Sequence, residues 1–338
     1  MIPIDAISVG ATLSALACVV FAYYSFFRPR RVTKDRRRVV VVSGAASGLG
    51  RATCMALAEN GDWVIALDLN AEGLATLAKE APRNQVLTMT CDVASDWNNV
   101  SQKIQRDLPP LFSSFFEGNP PFQIDAVINL AGLIRGGPLM EMPASNVSLV
   151  MRVNVEGTHN LNRALFQSLR RTGTDADAKI FIVASEVSYA MLSTAMNAPY
   201  SMSKFALEAY ATGLRQELSV LRDGPVKVIV VNPGAHATPL LLDQMSGGTN
   251  AFFERHASRE GGTLWAKELA KGGVVAQKYM KRFARSPTEF ASRMMGLVHA
   301  PSTLCPDRVP INVSPLMRLA AWTPQWILDW SFRRQMTQ

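Results

Sequence analysis

Little in this 338-residue chain could build a metal centre or a disulfide framework. Its four cysteines, Cys18, Cys54, Cys91 and Cys305, lie far apart with no C-x-x-C pair, and its four histidines, His159, His236, His256 and His299, show no ligand spacing. Zinc and thiolate sites are therefore set aside, and the unpaired cysteines suit a reducing compartment. Charge is scarce as well: Asp, Glu, Lys and Arg make up 18% of the residues against 48% hydrophobic ones, which excludes an intrinsically disordered chain. The 22 glycines and 19 prolines follow no period, so neither a collagen-like nor a linker-like sequence is present. The length suits one large domain with extensions.

Acidic residues are too few to balance the basic ones, and the net charge is +8, but that surplus is local. Residues 28–38, RPRRVTKDRRR, hold seven Lys/Arg against one Asp. With that run and Asp5 set aside, 28 basic and 25 acidic residues remain, a surplus of three. A nearly neutral body with one basic collar is not the footprint of a nucleic-acid binder. The collar follows the one long apolar run, residues 6–27, AISVGATLSALACVVFAYYSFF, which carries no charged side chain. As a helix it would reach roughly 33 Å, enough to span a hydrocarbon layer of about 30 Å. Tyr23 and Tyr24 stand where amphipathic rings favour the interface. A cleaved signal peptide usually carries its positive charge before the apolar core; here the Arg cluster follows it. The expectation is an N-terminal transmembrane anchor (1–27), a basic juxtamembrane segment (28–38) and the remaining domain on the cytosolic side of a membrane of the endoplasmic reticulum type.

From Val39 onward, short runs rich in β-branched residues alternate with longer helical patterns. VVVVS (39–43), WVIAL (63–67), QVLTMT (85–90), IDAVIN (124–129), KIFIVA (179–184), VKVIVV (226–231) and VPINV (309–313) read as strands. Segments 48–60, 71–80, 96–107, 145–171 and 199–222 read as helices. Near-continuous apolar strands separated by helices predict an α/β fold, a doubly wound, Rossmann-type parallel sheet in a single domain over 39–313. Residues 109–122 read as an insertion, 239–300 as helices covering the carboxyl edge of the sheet, and 314–338 as an amphipathic extension.

Three patterns carry chemistry. Directly after the first strand comes Ser43-Gly44-Ala45-Ala46-Ser47-Gly48-Leu49-Gly50, then a helix. Glycine there lets backbone approach a pyrophosphate, and free N–H groups at the helix start hold its charge. The second strand ends at Asp68, eighteen residues past Gly50, where a carboxylate can bond ribose hydroxyls and repel a 2′-phosphate. No Arg or Lys lies within 44–50 or 68–70, which makes NAD the expected cofactor rather than NADP. The third is Tyr200-Ser201-Met202-Ser203-Lys204. Positions i and i+4 of a helix share a face. A phenol titrates near ~10, and a neighbouring ammonium is expected to bring it down.

In these motifs the chain resembles the short-chain dehydrogenase/reductase family, over residues 38–240, with Ser43 where Thr is more usual. The resemblance implies further site residues. Cys91-Asp92-Val93 matches the turn that contacts adenine, with Asp92 near the exocyclic amine. Asn129-Leu130-Ala131-Gly132 matches the family's NNAG motif, with Leu130 in place of the second Asn. Asn154, in VNVEG, matches the helix Asn that holds a proton-relay water. Asn232-Pro233-Gly234 followed by Thr238 matches the element that contacts the nicotinamide amide. At the end of KIFIVAS, Ser185 stands where the family carries its substrate-orienting hydroxyl; its fifteen-residue gap to Tyr200 is long, and Ser188 is nearer the common spacing. The implied machinery is thus Tyr200 as acid/base, Lys204 binding the nicotinamide ribose, and Ser185 and Asn154 in support.

An apolar stretch that includes Leu240, Phe252, Trp265, Tyr279, Met280, Met294 and Met295 could line a cavity for a lipophilic substrate. With the anchor, this is similar to the plan of membrane-anchored retinol and hydroxysteroid dehydrogenases, and the expected substrate is a steroid, retinoid or long-chain lipid alcohol. The alternatives are an NADPH-dependent reductase of a lipid ketone (keto-sphingoid or keto-acyl), and an NAD-binding membrane scaffold without turnover. Expected partners are the lipophilic substrate and the membrane, with a homodimer left open by the family's habit. The tail PLMRLAAWTPQWILDWSFRRQMTQ, with Trp322, Trp326 and Trp330 among Arg318, Arg333 and Arg334, suits an interfacial helix, or packing on the body or a second subunit.

Overall fold

The computed structural model describes residues 37–82, 85–113, 123–170, 177–193, 196–221, 225–240, 265, 278–323 and 327. The expected anchor 6–27, most of the basic collar, and the tail 324–338, Ile327 apart, lie outside them. Among the described residues no helix is long and apolar enough to cross a membrane.

Four consecutive valines make the first strand, β1 (Val39–Ser43), and their alternation explains why a strand can be apolar throughout. Val39 and Val41 enter one core and Val40 and Val42 the other, all at 5% exposure or less. The same two-sided burial shapes β2 (Trp63–Asp68), β4 (Ala126–Asn129), β5 (Ala178–Val183) and β6 (Val226–Pro233), whereas the edge strands β3 (Val86–Thr90) and β7 (Arg308–Ile311) are only partly buried. They form one seven-stranded parallel sheet in the order β3-β2-β1-β4-β5-β6-β7. The chain winds outward from β1 through β2 to β3 and then returns to lay β4 on the other side of β1. That reversal leaves a crevice beyond the carboxyl ends of β1 and β4, where open α/β sheets take their ligands.

One face of the sheet is covered by α1 (Gly48–Glu59), α2 (Ala71–Glu80) and α8 (Pro287–His299), which supply Leu57, Leu77, Phe290, Met294 and Val298 to the core with Val40, Phe181 and Ile229. The other face carries α3 (Trp97–Ser113), α5 (Gly157–Leu169) and α7 (Ala198–Ser219). Between them come α4 (Ala144–Met151), continuing through a π-helical stretch (Arg152–Glu156) into α5, and the single turn α6 (Glu186–Tyr189) after β5. A short α9 (Pro315–Ala320) follows β7. This is a single-domain Rossmann-like α/β fold.

Two expectations need correction. The prolines of the expected insertion, Pro109 and Pro110, lie inside α3, which runs on to Ser113. Val100, Ile104, Leu108 and Phe112, spaced by four and buried, hold that last turn on the sheet despite a proline cost of about 3 kcal/mol. Residues 114–122 lie outside the described residues. In the expected covering segment 239–300, α8 does not sit over the carboxyl edge; it packs along α1 on the face of the sheet, so Met294 is core and Met295 packs against it. Met280 is buried, whereas Leu240 and Trp265 are exposed. The rest of that segment, from 241 to 277 apart from Trp265, lies outside the described residues.

The amino edge of the sheet is fastened by carboxylates that sequence periodicity does not signal. Asp125 accepts from the Val39 N–H (2.8 Å), and Asp62 from the Arg38 N–H (3.0 Å) and Asn60 (2.9 Å), with His299 Nε2 at 2.7 Å. Asp177 accepts from Arg38 (3.2 Å), from Lys179 (3.0 Å) and from the Ser302 N–H (2.7 Å). Lys179, 1% exposed, gives a second bond to the Val298 carbonyl (3.0 Å). Burial alone would raise the Asp62 and Asp177 carboxyls. For Asp62 the bonds from His299, Asn60 and Arg38, and for Asp177 those from Ser302 and Lys179, outweigh burial and hold each below the ordinary carboxylate value. A depressed folded value means stability that is present above the unfolded value near ~3.9 and lost as pH falls through the folded one. Asp177→Asn should therefore cost about 2–4 kcal/mol at pH 7, by leaving Lys179 buried without its counter-charge. Melting curves should show its deficit against the parent shrinking below about pH 4; an equal deficit at pH 7 and pH 3 would refute the ion-pair account.

Candidate active site

At the carboxyl end of β1 the chain turns through Gly44 (φ +70°) and Gly48 (φ +54°), conformations that side-chain-bearing residues rarely adopt. A Cβ on Gly50 would stand 2.0 Å from the Gly44 carbonyl oxygen, and one on Gly44 2.7 Å from the Ala131 nitrogen. The loop therefore lies flat against its own helix and against the β4 turn. Gly48 faces Thr238, whose Cβ and Cγ2 would be 3.3 Å from an added Cβ, so the chain after β6 closes beside the loop. Ser47 precedes α1 in extended backbone and makes no side-chain cap. The first-turn N–H groups of α1, at Gly48, Leu49 and Gly50, lack intrahelical acceptors by the geometry of a helix start. That is the donor set a pyrophosphate requires.

Asp68, at the end of β2, is fixed beside this loop: its two carboxylate oxygens accept from the N–H groups of Ala46 and Asn70, each at 2.9 Å. Asp92 is exposed at the end of β3 and accepts from the Ala94 N–H (3.0 Å). Ala131 and Gly132 follow β4; a Cβ on Gly132 would meet Asn154 Oδ1 at 3.3 Å and approach Lys204 Nζ at 3.9 Å. Backbone here thus lies open between those two side chains. Gly132, Asp68, Asp92 and the α1 start together fit an extended dinucleotide along the carboxyl edge of the sheet.

Several residues expected at the cofactor have their side chains in the framework. Ser43 is 2% exposed, and its hydroxyl accepts from the Leu130 and Ala131 N–H groups (3.2 Å each), tying the β1 turn to the β4 turn. Asn129 is turned into the protein, donating to Asn162 (2.9 Å) and to the Phe181 carbonyl (3.1 Å). The Val93 side chain is core, packed where a Cβ on Gly157 would be 2.9 Å away. Gly234, after Pro233, allows the chain at Asn312 to pass, since a Cβ there would lie 2.1 Å from the Asn312 carbonyl oxygen. Side chains at these positions are spent on strand ends, where backbone, not side chain, is what a ligand can reach.

The second half of the site forms where α7 crosses the end of β5. Tyr200 and Lys204 share the inward face of α7, with Lys204 Nζ 5.5 Å from the Tyr200 ring centroid. Ser185, which caps α6 through the Val187 N–H, also stands close enough to the Tyr200 phenol to draw its value down. Ser188 is turned away, donating to the Ser185 carbonyl (2.8 Å) and to Glu208 (3.1 Å), so of the two candidate serines only Ser185 is in reach of the phenol. Lys204 donates to the Val183 carbonyl (2.9 Å), and burial brings it down to about 8. Tyr200 differs from expectation. Burial pushes its phenol above the ordinary value, the Ser185 hydroxyl offsets part of that, and Glu186 adds to the rise. Lys204 does not bring it down within the chain alone.

Asn154 ties two elements of the crevice together. It is fully buried in the π-helical stretch; its Oδ1 accepts from the Leu133 N–H (2.8 Å), and its two amide hydrogens go to the Leu133 carbonyl (3.0 Å) and Ser203 (2.9 Å). Both amide hydrogens are spent on these bonds, and through them the amide holds the β4 loop against α7. Its backbone carbonyl accepts from Thr158 (2.9 Å).

Glu208 and Glu186 are site residues that the motifs do not mark. Glu208 lies four residues beyond Lys204 on the same helix, a spacing that could have marked it, and its Oε1 accepts from Asn232 (2.7 Å), Arg308 (2.9 Å) and Ser188, clamping α7 to β6 and β7. Glu186, beside Ser185, accepts from Tyr279, 93 residues away, a partner that no local pattern signals.

A family model described as short chain dehydrogenase matches residues 38–246. Dehydrogenase/reductase SDR family member 7B of Xenopus tropicalis is 28% identical over 277 residues, covering 76% of this chain and 84% of its own length. Among solved structures, a short chain dehydrogenase/reductase from Burkholderia phymatum in complex with NAD superposes with a TM-score of 0.65 at 20% identity, over 88% of this chain and 96% of its own. An alcohol dehydrogenase from Thermococcus sibiricus complexed with 5-hydroxy-NADP gives 0.59 at 21%, over 81% and 96%. At those identities the two structures speak for the fold.

Proposed function

The chain belongs to the short-chain dehydrogenase family and is an NAD(P)-dependent dehydrogenase or reductase, and from that premise we propose that it is a membrane-anchored enzyme interconverting a lipophilic alcohol and its ketone or aldehyde. The observation that carries the site is the convergence of Tyr200, Lys204 and Ser185 at the carboxyl end of β5, next to the uncapped start of α1.

When bound, the nicotinamide dinucleotide supplies the hydride acceptor or donor and, in its oxidised form, a positive charge. The chain's residues do the rest. The α1 start and the turn 44–50 hold phosphate, Asp68 holds the adenosine ribose, and Gly132 and Thr238 leave backbone and hydroxyl to the nicotinamide half. Tyr200 takes the proton from the alcohol oxygen in oxidation, or gives it in reduction. Ser185 bonds both that phenol and the substrate oxygen, fixing their separation. Lys204, carried on α7 and steadied by the Val183 carbonyl, keeps an ammonium beside the phenol and is placed to bond the nicotinamide ribose. Asn154 positions: it fixes Leu133 and Ser203, and so the two walls of the crevice.

Asp68 supports NAD over NADP, because a carboxylate held by two backbone N–H groups cannot swing away from a 2′-phosphate. The lipophilic substrate and the membrane setting rest on the apolar run 6–27 and the basic residues after it. With detergent-solubilised full-length protein and a panel of steroids, retinoids, long-chain alcohols and short polyols, turnover is expected with NAD and a lipophilic member. NADP should be at least about tenfold poorer, and Asp68→Ser should narrow that ratio. Equal use of both cofactors, or turnover confined to the polyols, would overturn this reading.

A further inference from the structure

We propose that Glu186 is a positioning residue of the Tyr200 site: its carboxylate fastens the segment 278–283 and the chain entering α9 to the end of β5, and places one negative charge beside the Tyr200–Ser185 pair. The inference rests on the assignment of Tyr200 as the acid/base group.

Glu186 is the first residue of α6, directly after Ser185, and is 6% exposed. A carboxylate so buried must be bonded on both oxygens or cost several kcal/mol. It is bonded on both. Oε1 accepts from the Tyr279 phenol (2.9 Å), and Oε2 faces the Ser314 N–H (3.4 Å). The Tyr279 and Ser314 hydroxyls are themselves 2.9 Å apart. One proton arrangement satisfies all of these contacts: the Ser314 hydroxyl donates to the Tyr279 oxygen, and the Tyr279 O–H donates to Glu186. Three stretches of chain, the end of β5, the segment 278–283 and the start of α9, thus close on a single side chain.

Two donors aimed at the carboxylate favour its ionised form, which burial opposes and pushes upward. Around Tyr200, among the described residues, the charged groups seen to approach are Lys204 on α7 and Glu186 on α6. Tyr279 approaches Glu186 from the segment 278–283, and from α9 the Arg318 Nε is turned to the Val313 carbonyl (3.3 Å). At the far end of α6, Arg308 and Glu208 bond Ser188 and each other, not Glu186. Glu186 is therefore the anionic group at this phenol, and its charge adds to the rise that burial causes.

The test compares the parent with Glu186→Gln, Tyr279→Phe and Tyr200→Phe, using NAD and the best substrate of the panel above. Gln keeps an acceptor for Tyr279 but removes the charge. The rising limb of kcat/KM against pH in oxidation should move down by about half a unit or more in Glu186→Gln, and stay in place in Tyr279→Phe. Amide hydrogen exchange at 278–283 and 314–320 should rise at least about tenfold in Glu186→Ala and less in Glu186→Gln. If Tyr200→Phe is inactive but neither the limb nor the exchange responds to Glu186, this proposal falls alone. If Tyr200→Phe is active, the assignment beneath it falls first. A shift of the limb in Tyr279→Phe equal to that in Glu186→Gln would assign the effect to packing and overturn the part given to charge.

Discussion

Tyr200→Phe is expected to lower kcat/KM by about 10²–10⁴-fold, the range of a lost general acid–base group, while the affinity for NAD changes by no more than a few-fold. The substitution removes one oxygen and leaves the ring beside Lys204, so α7 loses little packing. What disappears is the group that exchanges a proton with the substrate oxygen and the partner that orients the Ser185 hydroxyl. The pH dependence of the parent adds a signature. Burial and Glu186 raise the phenol, and oxidation needs its ionised form, so oxidation should quicken as pH rises toward that value and reduction should hold at lower pH. Initial rates across pH, with NAD binding followed by fluorescence, check both parts. A mutant with comparable turnover, or with NAD binding lost along with activity, would remove Tyr200 from its assigned part.

Gly50→Ala should be nearly as damaging, by a different route. The added methyl would lie 2.0 Å from the Gly44 carbonyl oxygen, 2.7 Å from its carbon and 3.2 Å from the Ala45 Cα. These are backbone atoms, so no rotamer relieves the overlap; α1 must slide away from β1 or the turn must open. Overpacking of this kind costs about 1–3 kcal/mol, occasionally more. The geometry that presents the α1 N–H groups goes with it, so NAD affinity should fall more than about tenfold. Gly213→Ala on α7 is the control. Nothing lies within 4 Å of its new methyl, and a glycine removed from a helix interior should gain about 0.5–1 kcal/mol. Thermal melts and NAD titrations of the two variants should move in opposite directions and by unequal amounts. Unchanged NAD affinity in Gly50→Ala would contradict the phosphate-cradling assignment of the turn.

The residues that can be read from the sequence are those whose chemistry is local. VVVVS followed by glycines, Asp68 at a strand end, and Tyr200 four residues before Lys204 each carry their meaning within a few positions, because a strand, a tight turn and a helix face are fixed by near neighbours. All seven strands are legible to within about two residues: burial on both faces leaves the central ones almost wholly apolar, and the partly exposed edge strands β3 and β7 still carry apolar residues bounded by turns. What is not legible depends on chain that meets from far away. The α8 sequence shows Phe290, Met294 and Val298 at fourfold spacing, a helix with one buried stripe, but nothing in it says that the stripe belongs to the face beside α1 and not to the mouth of the crevice. Asn154 and Asn129 look like ligand-facing amides until their amide hydrogens are seen to go to Leu133, Ser203, Asn162 and Phe181. Glu186 reads as an isolated acid, because Tyr279 and Ser314 are 93 and 128 residues away.

The carboxylates under the sheet have a bearing on how this protein could change over time. Asp62, Asp125 and Asp177 stand at one end of the strands, and Tyr200, Ser185 and the glycine turn at the other. Strands of five to six residues separate them by roughly 17–20 Å. Perturbations so far apart, with no partner in common, add without coupling. One rim can therefore act as a mooring that tolerates little alteration, while the opposite rim is free to be rewritten for a new substrate without loosening what holds the sheet together.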